Sequence, residues 1–530
     1  MTSEFDVVIV GGGPVGSGLA VELGLRGLTC AVIERRTALS SIPKGQGLNQ
    51  RTLEHFYFWG IAGELRAART ATPGANKVSM LTIYRDLLNE FWHEPPGAEI
   101  VQDYYFEASE RLPQYRTEMV LRRRIEDLPK VSSYLGWEAT SFHNDADGVR
   151  VVIERDGATA VLDGKYLVGC DGGHSLVRDQ SAIRQSGTDF GQVMALIVFR
   201  SRELNEALNR LPGHVTYRVL HPDLEGYWMF FGRVDSSEEW FFHAPVPPAS
   251  NPADVDYKGL LHRAAGFEFG CKIEHVGLWD LRVRAAETYR AGRVFIAGDS
   301  AHTHPPYGGF GLNIGFEDAV NLGWKLTAAL KGWGGEPLLD SYTTERRAIF
   351  RDIGENIIAA GIRRVRDLLA TYHPEDNRAE FERLFHDMAF KDGADMHGIE
   401  PHYEGSPIVF GPPGGVSGAR GEHVFTARAG HHLAPGPLSS GRNVFEELGA
   451  GFTLLAFDVG DGEVEAFGSA ARRLGIPLAI LRDSYAGERL EYGSRMILVR
   501  PDQFVAWAGD AAPGAADRIM TTVTGRARAT

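Results

Sequence analysis

The chain has 530 residues, of which 43% are hydrophobic and 23% are charged, a composition that is ordinary for globular proteins. This excludes a disordered, collagen-like or coiled-coil chain, and the length predicts two to three domains. Lys and Arg number 55 against 69 Asp and Glu, so the formal net charge is −14. Such a charge argues against binding to nucleic acid or to an anionic membrane surface.

Cysteine use and the N-terminus bear on the compartment. Cys30, Cys170 and Cys271 stand at unrelated spacings, without a CxxC pair or a zinc-ligand pattern, so no metal site and a reducing environment are expected. The N-terminus lacks a basic segment, and nowhere do 18 apolar residues run together. These features predict a cytoplasmic protein without a membrane span.

Residues 5–34 predict a strand, a helix and a second strand in succession. The first strand runs into Gly11, Gly13 and Gly16 in GxGxxG spacing, and Glu34 ends the second strand. In a dinucleotide site, such glycines allow a pyrophosphate to approach the helix N-terminus, and the acid accepts a ribose hydroxyl. The alternative is a glycine-rich turn with an incidental acid, which the joint presence of strand, spacing and acid disfavours.

A second glycine-rich feature follows a short strand at 293–297, which runs into Gly298 and Asp299. The chain then continues as PPYGGFGLN and a helical pattern to about Leu330. A carboxylate after a strand can bind polyol hydroxyls, and glycines at a helix start let backbone donors approach a flat ligand. This pattern predicts a cofactor cradle, with a loop that merely caps a core helix as the alternative.

The remaining chain divides by pattern. Residues 77–94 and about 190–280 are rich in alternating aromatics and predict an antiparallel sheet. An apolar stripe over 349–369 predicts a long packed helix. The Gly- and Pro-rich stretch 405–441 predicts an extended segment, and a small α/β domain is expected after residue 452.

Three motifs in order carry a resemblance to a family. They are the GxGxxG start, YLVGCDGGHSLVR around Asp171, and GRVFIAGDSAHTHPPYGGFGLNIGFEDAVNLGWKL around Asp299. Together they resemble the p-hydroxybenzoate-hydroxylase-like, single-component FAD aromatic monooxygenases. GFTLLAF, ARRLGIPLAI and LVRPDQFVAWAG further resemble the thioredoxin-like C-terminal domain of the phenol and polyketide hydroxylase branch.

The resemblance implies a mixed α/β fold in three parts. A discontinuous Rossmann-like FAD-binding domain would comprise 1–75, 100–190 and 280–345, and a substrate-binding sheet domain 76–99 and 191–279. Residues 346–404 would form a helical connection, and 405–530 the thioredoxin-like domain. Because that last domain contains no cysteine, we expect it to serve packing or oligomerisation.

The resemblance also implies which residues bind FAD. The candidates are Gly11, Gly13, Pro14, Val15, Gly16, Glu34, Arg35, Lys44, Arg122, Asp171, Asp299, Pro306, Gly309, Gly311, Leu312 and Asn313. Two positions depart from the family pattern. Lys44 stands where relatives have Arg, so a bidentate contact is lost. Phe310 stands where many relatives have Gln, which makes the pocket edge more apolar.

The resemblance implies hydroxylation of an aromatic, phenolic small molecule. FAD would be reduced by NADPH or NADH, and dioxygen would then give a flavin C4a-hydroperoxide that must be kept from water. A group that accepts the phenol proton would speed the attack of the aromatic carbon on the distal oxygen of the hydroperoxide. Tyr217, Tyr227, His243 and Arg233 lie in the expected substrate sheet and are weak candidates, since a buried sheet residue is the commoner role.

Other readings stay open at this point. A flavin halogenase is disfavoured because WxWxIP is absent from the sequence, while another flavin oxidoreductase of the same fold remains possible. A flavoprotein that only sequesters an aromatic metabolite is the rival from a different class. The family resemblance also makes a homodimer an expectation, and neither the substrate nor the choice between NADH and NADPH is determined.

Overall fold

The computed structural model describes residues 3–70, 77–79, 83–84, 86–87, 98–209, 214–224, 228–247, 251–512 and 514–526. Tyr227 and most of 76–99, expected in the substrate sheet, lie outside the described residues. The described chain forms three main sheets, with helices packed on each.

The first sheet is parallel at its centre, as expected for a dinucleotide-binding domain. Its central strands, in spatial order, are Val294–Ile296, Ala158–Gly169, Ser3–Val10, Cys30–Glu34 and Val131–Leu135. Antiparallel additions are Arg290–Ala291, Val149–Arg155 and Glu138–Asn144. Ser3–Val10 and Cys30–Glu34 at its centre are rich in Val and Ile and largely buried on both faces, which is typical of a parallel sheet covered by helices, whereas the outer strand Val131–Leu135 is partly exposed.

Helices cover this sheet. They are Pro14–Leu25, Gln50–Phe58, Ala62–Ala67, Gln114–Glu126, Leu176–Gln180 and Phe310–Leu330. Helix Ala98–Tyr104 lies against the C-terminal part of the chain instead, since the Tyr104 hydroxyl donates to Glu400 and to the His432 carbonyl. A small two-stranded sheet joins Gly47–Leu48 to Glu110–Arg111. Pro14–Leu25 and Phe310–Leu330 cross closely because glycines lie at the crossing: a Cβ on Gly18 would come 3.0 Å from Phe316. The N-termini of both helices are thereby held close to the sheet.

The second sheet has seven strands among the described residues. Their order is His302–Thr303, Lys272–Ala286, Gln185–Arg200, Glu239–Pro245, Phe230–Arg233, His214–Arg218 and Lys77–Ser79. All neighbouring pairs are antiparallel except the last. Two strands, Gln185–Arg200 and Lys272–Ala286, extend across the domain boundaries that were expected near residues 190 and 280. Each of these strands therefore continues through the expected boundary without a break.

The second sheet has two faces of different surroundings. The helix-side face, which includes Phe199, Tyr217, Trp240 and Phe242, packs under helices Arg202–Leu208 and Tyr257–Ala265. The loop-side face consists of Leu196, Phe230, Phe241, His243 and Trp279. It shares apolar clusters with Ile42, from the loop after Glu34, and with Tyr307 and Phe310, from the second glycine-rich loop.

A long helical segment leads to the third sheet. Helices Glu336–Arg351 and Ala360–Thr371 are joined by a π-helical stretch, Asp352–Ala359, so the expected apolar stripe is one continuous helical run, and Arg378–His397 follows. The short pair Ile399–His402 and Gly418–Arg420 precedes the C-terminal domain. There the strand order is Leu478–Asp483, Phe452–Phe457, Met496–Val499 and Val505–Gly509, with helices Asp461–Leu474 and Ala516–Val523.

Buried ion pairs join this C-terminal domain to the rest of the molecule. Glu345 accepts from Lys325 Nζ at 2.6 Å and from Arg500 at 2.7 Å, and Arg500 also pairs with Asp502 at 2.6 Å. These side chains are inaccessible to solvent. Since Lys325 lies on Phe310–Leu330, the charged network reaches from the C-terminal domain into a helix of the parallel-sheet domain.

Within the described residues, no helix combines the length and the apolar character needed to cross a lipid bilayer.

Candidate active site

The three sequence motifs meet at one edge of the parallel sheet. Cys170 N–H donates to the Val10 carbonyl at 2.7 Å, and Ala297 N–H donates to the Gly169 carbonyl at 2.9 Å. These bonds join the carboxyl ends of three adjacent parallel strands. Ligands of open α/β sheets bind at this edge, so the motifs form one site.

The first motif leaves a helix N-terminus free for an anion. Gly11 has φ +105°, and a Cβ there would lie 2.2 Å from the Cys170 carbonyl oxygen. A Cβ on Gly16 would lie 1.9 Å from the Gly11 oxygen, whereas one on Gly13 would meet nothing within 4 Å. Pro14 occupies the first turn, and neither a capping side chain nor an acidic residue competes for its amide groups. This geometry fits a pyrophosphate.

Glu34 lies beside that turn. Its Oε2 accepts from the Gly12 N–H at 3.0 Å and its Oε1 from the Arg36 N–H at 2.9 Å. These bonds fix the carboxylate while leaving lone pairs for a further donor. The neighbouring candidate Arg35 is exposed and lies 3.6 Å from Glu138, which places its guanidinium on the surface.

Asp171 links two motifs from within the protein. Its Oδ1 accepts from Ser175 Oγ at 2.5 Å and from Ser300 Oγ at 3.0 Å, while its Oδ2 accepts from the Val177 N–H. Arg178 donates to the Gly173 and Ser300 carbonyls across the same junction. The carboxylate therefore holds the strand ends in register with one another.

The Gly298–Asp299 turn is held from below by a buried acid. Asp318 accepts from the Gly298 N–H at 3.0 Å, from His302 Nε2 at 2.7 Å and from Arg346 Nε at 2.7 Å. The Asp299 side chain is exposed instead, and desolvation by nearby protein raises the pKa of its carboxyl. Asp299 therefore lies in a cleft that a ligand can enter.

The second glycine-rich loop also ends at an uncapped helix. Gly309 has a left-handed φ of +69° and begins Phe310–Leu330, with no side-chain cap and no acid in the first turn. Asn313 ties this turn to the loop after Glu34: its Nδ2 donates to the Gly47 carbonyl at 3.0 Å, and its Oδ1 accepts from the Asn49 N–H at 2.9 Å. The side chain of Leu312 approaches Gly45, and Pro306 and Gly311 are half-buried nearby.

Two basic candidates lie at the rim of this cleft. Lys44 is exposed and lowers the pKa of Asp299 electrostatically, so the two charges are near one another. Lys44 and Arg122 also both lie near Glu118. Burial raises the pKa of the Glu118 carboxyl despite the opposing effect of these two cations. The rim therefore carries cations beside the carboxyl groups of Asp299 and Glu118.

His243 occupies the loop-side face of the second sheet. It is 4% exposed, and neither of its ring nitrogens has a hydrogen-bond partner in the described structure. Phe230, Phe241 and Trp279 surround the imidazole at ring-centroid distances of 5.6 to 5.8 Å. Desolvation lowers the pKa of His243 to about 3, so the ring is neutral at physiological pH.

The other catalytic candidates do not lie with His243. Tyr217 is on the helix-side face, where its hydroxyl accepts from Arg233 Nε at 3.2 Å and Trp240 packs on it. Arg233 lies there too, 4.4 Å over the Trp240 ring. The alternating aromatics of this sheet are likewise divided, since Phe242 faces the helices and Phe230 faces the loop. Tyr227 lies outside the described residues.

Two residues near the cleft were missed by the sequence reasoning. Trp279 lies next to His243, and its Nε1 is buried without a hydrogen-bond partner in the described structure. Gln46 is 8% exposed, and its Nε2 is similarly unpaired. The available signals were the alternation in the strand that carries Trp279 and the position of Gln46 two residues after Lys44.

Two groups of potential metal ligands occur in the described structure, although no metal site was expected. They are His221, Asp223 and His373, and His402, Glu404 and His431. Hydrogen bonds join His373 to Asp223 at 3.2 Å and His431 to Glu404 at 2.9 Å, and the His402 ring stacks on that of His431 at a centroid distance of 4.7 Å. Neither includes a candidate flavin-binding residue.

Comparison with known proteins identifies the family. Residues 4–356 match the FAD binding domain family, and residues 426–527 match the family described as aromatic-ring hydroxylase, C-terminal. The chain therefore belongs to the FAD-dependent aromatic-ring hydroxylases. It is an FAD-dependent monooxygenase of the class that uses NAD(P)H and dioxygen, as the resemblance implied.

Individual relatives agree with this assignment. The chain is 31% identical to 4-methyl-5-nitrocatechol 5-monooxygenase of a Burkholderia species, over 95% of this chain and 94% of the relative. It is 35% identical to 12-dehydrotetracycline 5-monooxygenase/anhydrotetracycline 6-monooxygenase of Streptomyces rimosus, over 68% and 70% of the two chains. The crystal structure of the flavin-dependent monooxygenase PieE, with FAD and substrate, superposes with a TM-score of 0.85 at 25% identity, covering 99% of each chain.

Proposed function

We propose that this hydroxylase acts on a phenolic small molecule held between the glycine-rich cleft and the loop-side face of the second sheet. The observation that carries the proposal is the position of His243. This buried, unpaired imidazole lies on the sheet face that shares apolar clusters with the loops of the cleft. An aromatic ring would be desolvated there, and its hydroxyl would meet a polar partner.

The chain's own residues divide the work of holding FAD. The N-terminus of Pro14–Leu25 would bind the pyrophosphate, Glu34 the ribose of the adenosine half, and Asp299 the polyol side. The uncapped N-terminus of Phe310–Leu330 would face the isoalloxazine ring, where a positive helix end stabilises negative charge on the reduced ring. These residues would hold FAD for redox chemistry that uses a hydride from NAD(P)H to put one oxygen atom of dioxygen into the substrate, the other atom leaving as water.

His243 would hold the substrate hydroxyl. A neutral imidazole nitrogen accepts a hydrogen bond from the phenol O–H, which draws electron density into the ring and favours attack by its ortho and para carbons. The surrounding Phe230, Phe241 and Trp279 would exclude water from the reacting carbon. Asp171 would act through Ser300 and the strand ends, as a positioning residue.

A cytoplasmic location and a homodimer complete the proposal. The location rests on the three unpaired cysteines, which suit a reducing compartment. The dimer rests on the family resemblance, and its test is the mass of the purified protein in solution.

The activity is tested on the purified holoenzyme. We expect bound FAD, faster flavin reduction by NADPH or NADH with a matching phenol, and a product heavier by one oxygen atom that derives from labelled dioxygen. His243→Phe should retain FAD and lose coupling, so that NAD(P)H oxidation yields hydrogen peroxide in place of product. If aromatic compounds bind but oxygen is inserted into none of them, the protein is a sequestering flavoprotein and the proposal is overturned.

A further inference from the structure

Arg111 lies where the glycine-rich cleft and the loop-side face approach one another. In the small two-stranded sheet it pairs with Gly47, whose carbonyl accepts from Asn313 of the second glycine-rich loop. Its side chain reaches the second sheet, where Nη2 donates to the Arg233 carbonyl at 3.0 Å. The next residue, Val234, belongs to an apolar cluster of the loop-side face. The guanidinium therefore stands between the two parts of the molecule that enclose the proposed substrate site.

This guanidinium has no counter-charge among the described residues. The bond to the Arg233 carbonyl is the one hydrogen bond that its side chain makes there, and it takes part in no ion pair. The adjacent acid, Glu110, is held by other cations, with Arg69 at 3.1 Å and Arg66 at 3.8 Å.

The missing counter-charge has an energetic consequence. Arg111 is half-buried, and desolvation lowers the pKa of its guanidinium to about 10, so the group is still charged at neutral pH. A desolvated cation is unfavourable until an anion replaces the water that it has lost. Arg111 is therefore prepared to bind an anionic group.

A second donor on the same small sheet also lacks an acceptor. Gln46 lies opposite Leu112, whose N–H donates to the Gln46 carbonyl at 3.0 Å, and it precedes the partner of Arg111. Its Nε2 is buried without a hydrogen-bond partner in the described structure. The unmatched groups of this sheet are thus N–H donors, which require acceptor oxygens from a ligand.

The shape of the guanidinium indicates which anion fits. Its free N–H groups form a planar fork that matches the two oxygens of a carboxylate. In the proposed arrangement the pyrophosphate of FAD lies at the N-terminus of Pro14–Leu25, which leaves the substrate as the source of the anion. The formal net charge of −14 disfavours anions in general, so any preference for them must arise locally.

We propose that Arg111 binds a carboxylate group of the aromatic substrate, so that the enzyme selects acidic aromatic molecules over neutral ones. Two N–H groups of Arg111 donate to the carboxylate oxygens while the ring lies on the loop-side face. This inference rests on the proposed function, because it assumes that the substrate lies between that face and the cleft. It adds a carboxylate to the substrate and names the residue that selects it.

The discrimination follows from what a neutral analogue leaves unpaired. A carboxamide has nearly the same shape as a carboxylate, but it has one acceptor oxygen, no charge, and an NH₂ group that faces the guanidinium. Loss of a charged hydrogen bond corresponds to about 10- to 100-fold in affinity. Ring size and apolar contacts contribute equally to acid and amide, so the difference isolates the contact with Arg111.

The test uses acids and their amides. Dissociation constants of 2-, 3- and 4-hydroxybenzoate and of 3-hydroxy-2-naphthoate, each against its amide, are measured on the holoenzyme from the perturbation of the flavin absorbance. We expect the acid of at least one pair to bind about ten-fold tighter or more. Arg111→Gln should abolish this preference by weakening the acid alone. Arg111→Lys should retain part of it, because lysine keeps the charge but lacks the fork.

Arg184→Gln is the matched control. It also removes one cation, but from a side chain that is 83% exposed and pairs with Glu287 on the surface, so acid and amide should bind as in the wild type. Flavin content and melting temperature of each variant verify the fold. If Arg111→Gln does not fold, Arg111→Lys carries the test, since loss of the fork alone should reduce the preference.

The same variants test whether a cofactor supplies the anion instead. If Arg111 pairs with a phosphate of FAD or NADPH, Arg111→Gln would raise the dissociation constant of that cofactor, while acids and amides would bind equally well. This result would overturn the carboxylate site.

The remaining outcomes separate the two proposals. Equal binding of acid and amide in every pair, no binding of any acid, or a preference that survives Arg111→Gln would also overturn the carboxylate site. If the preference depends on Arg111 but no compound that binds is hydroxylated with NAD(P)H, the proposed function fails and the carboxylate site stands. If a neutral phenol is hydroxylated and no acid is preferred, the carboxylate site alone fails.

Discussion

The two walls of the proposed pocket are built from different parts of the chain. The glycine-rich cleft is made of backbone: two uncapped helix N-termini, three strand ends and the turns between them. The loop-side face is made of side chains, with His243 and Trp279 among aromatic rings. In the proposed pocket, the cleft would therefore serve any substrate that reacts with flavin, while the face would determine which substrate fits.

This difference predicts different responses to substitution. A backbone site fails when a Cβ or a shifted turn blocks it, and the loss is complete because no side chain can rotate away. A side-chain site changes by degrees, because each residue contributes one contact.

Gly16→Ala should abolish FAD binding. The new Cβ would lie 1.9 Å from the carbonyl oxygen of Gly11, a backbone atom that cannot move without opening the turn. We expect the variant to purify colourless, judged by flavin absorbance relative to protein. Gly63→Ala is the control, since its Cβ would meet nothing within 4 Å. A yellow Gly16→Ala protein would show that the turn is not what holds the cofactor.

Gly13→Ala should weaken FAD without harming the apoprotein. A Cβ at Gly13 meets no atom of the chain within 4 Å, but it would stand where the pyrophosphate must approach. We expect the FAD dissociation constant to rise by about ten-fold or more, and the melting temperature of the apoprotein to stay unchanged. Unaltered FAD affinity would place the pyrophosphate elsewhere.

Each wall also contains a histidine, His243 on the face and the half-buried His304 in the cleft, that should make stability depend on pH. Desolvation lowers the pKa of His243 to about 3 and that of His304 to about 4, whereas unfolded histidine titrates near about 6.5. Between these values the unfolded chain binds protons that the folded one does not, so stability falls as pH decreases below about 6.5. The slope is up to about 1.4 kcal/mol per pH unit for each residue.

Thermal unfolding at pH 7.5 and pH 5 measures this effect. His243→Phe and His304→Phe should each reduce the loss of stability at the lower pH. His143→Gln, at a side chain 75% exposed, should leave it unchanged. An acid loss of the same size in all four proteins would mean that other groups cause it.

Tyr217→Phe should have the smallest effect. Tyr217 lies on the helix-side face, and its hydroxyl bonds to Arg233 at 3.2 Å, away from the cleft. We expect turnover to be unchanged and the free energy of unfolding to drop by about 1 kcal/mol in denaturant titrations. A large loss of turnover would mean that the two faces of the sheet are coupled during catalysis.

The same contrast explains what could be predicted from the sequence. The cleft depends on local spacing, so Gly11, Gly16 and Asp299 could be proposed as candidates from short motifs, and the strand order brings them to one edge of the sheet. The interior strands and the helix Phe310–Leu330 also follow from patterns of apolar residues.

The face could not be assigned in this way. Whether Tyr217 or His243 points to the cleft depends on the register of distant strands, for example His243 opposite Leu196, which no local pattern encodes. Trp279 was missed for the same reason, because its strand pairs with one that lies about eighty residues earlier in the chain. The positioning role of Asp171 could not be predicted either, because the hydrogen bond that Ser300 donates to it joins residues that are distant in the sequence.

The buried charges of Lys325, Glu345, Arg500 and Asp502 have a consequence for anyone who recombines such enzymes. Removing one member would leave a buried charge uncompensated, at a cost of about 3–5 kcal/mol. A chimera joined near residue 405 would import Arg500 and Asp502 from one parent and retain Lys325 and Glu345 from the other. Parents compatible at these four positions should yield intact chimeras, so the charge network, more than the linker, defines the unit of exchange.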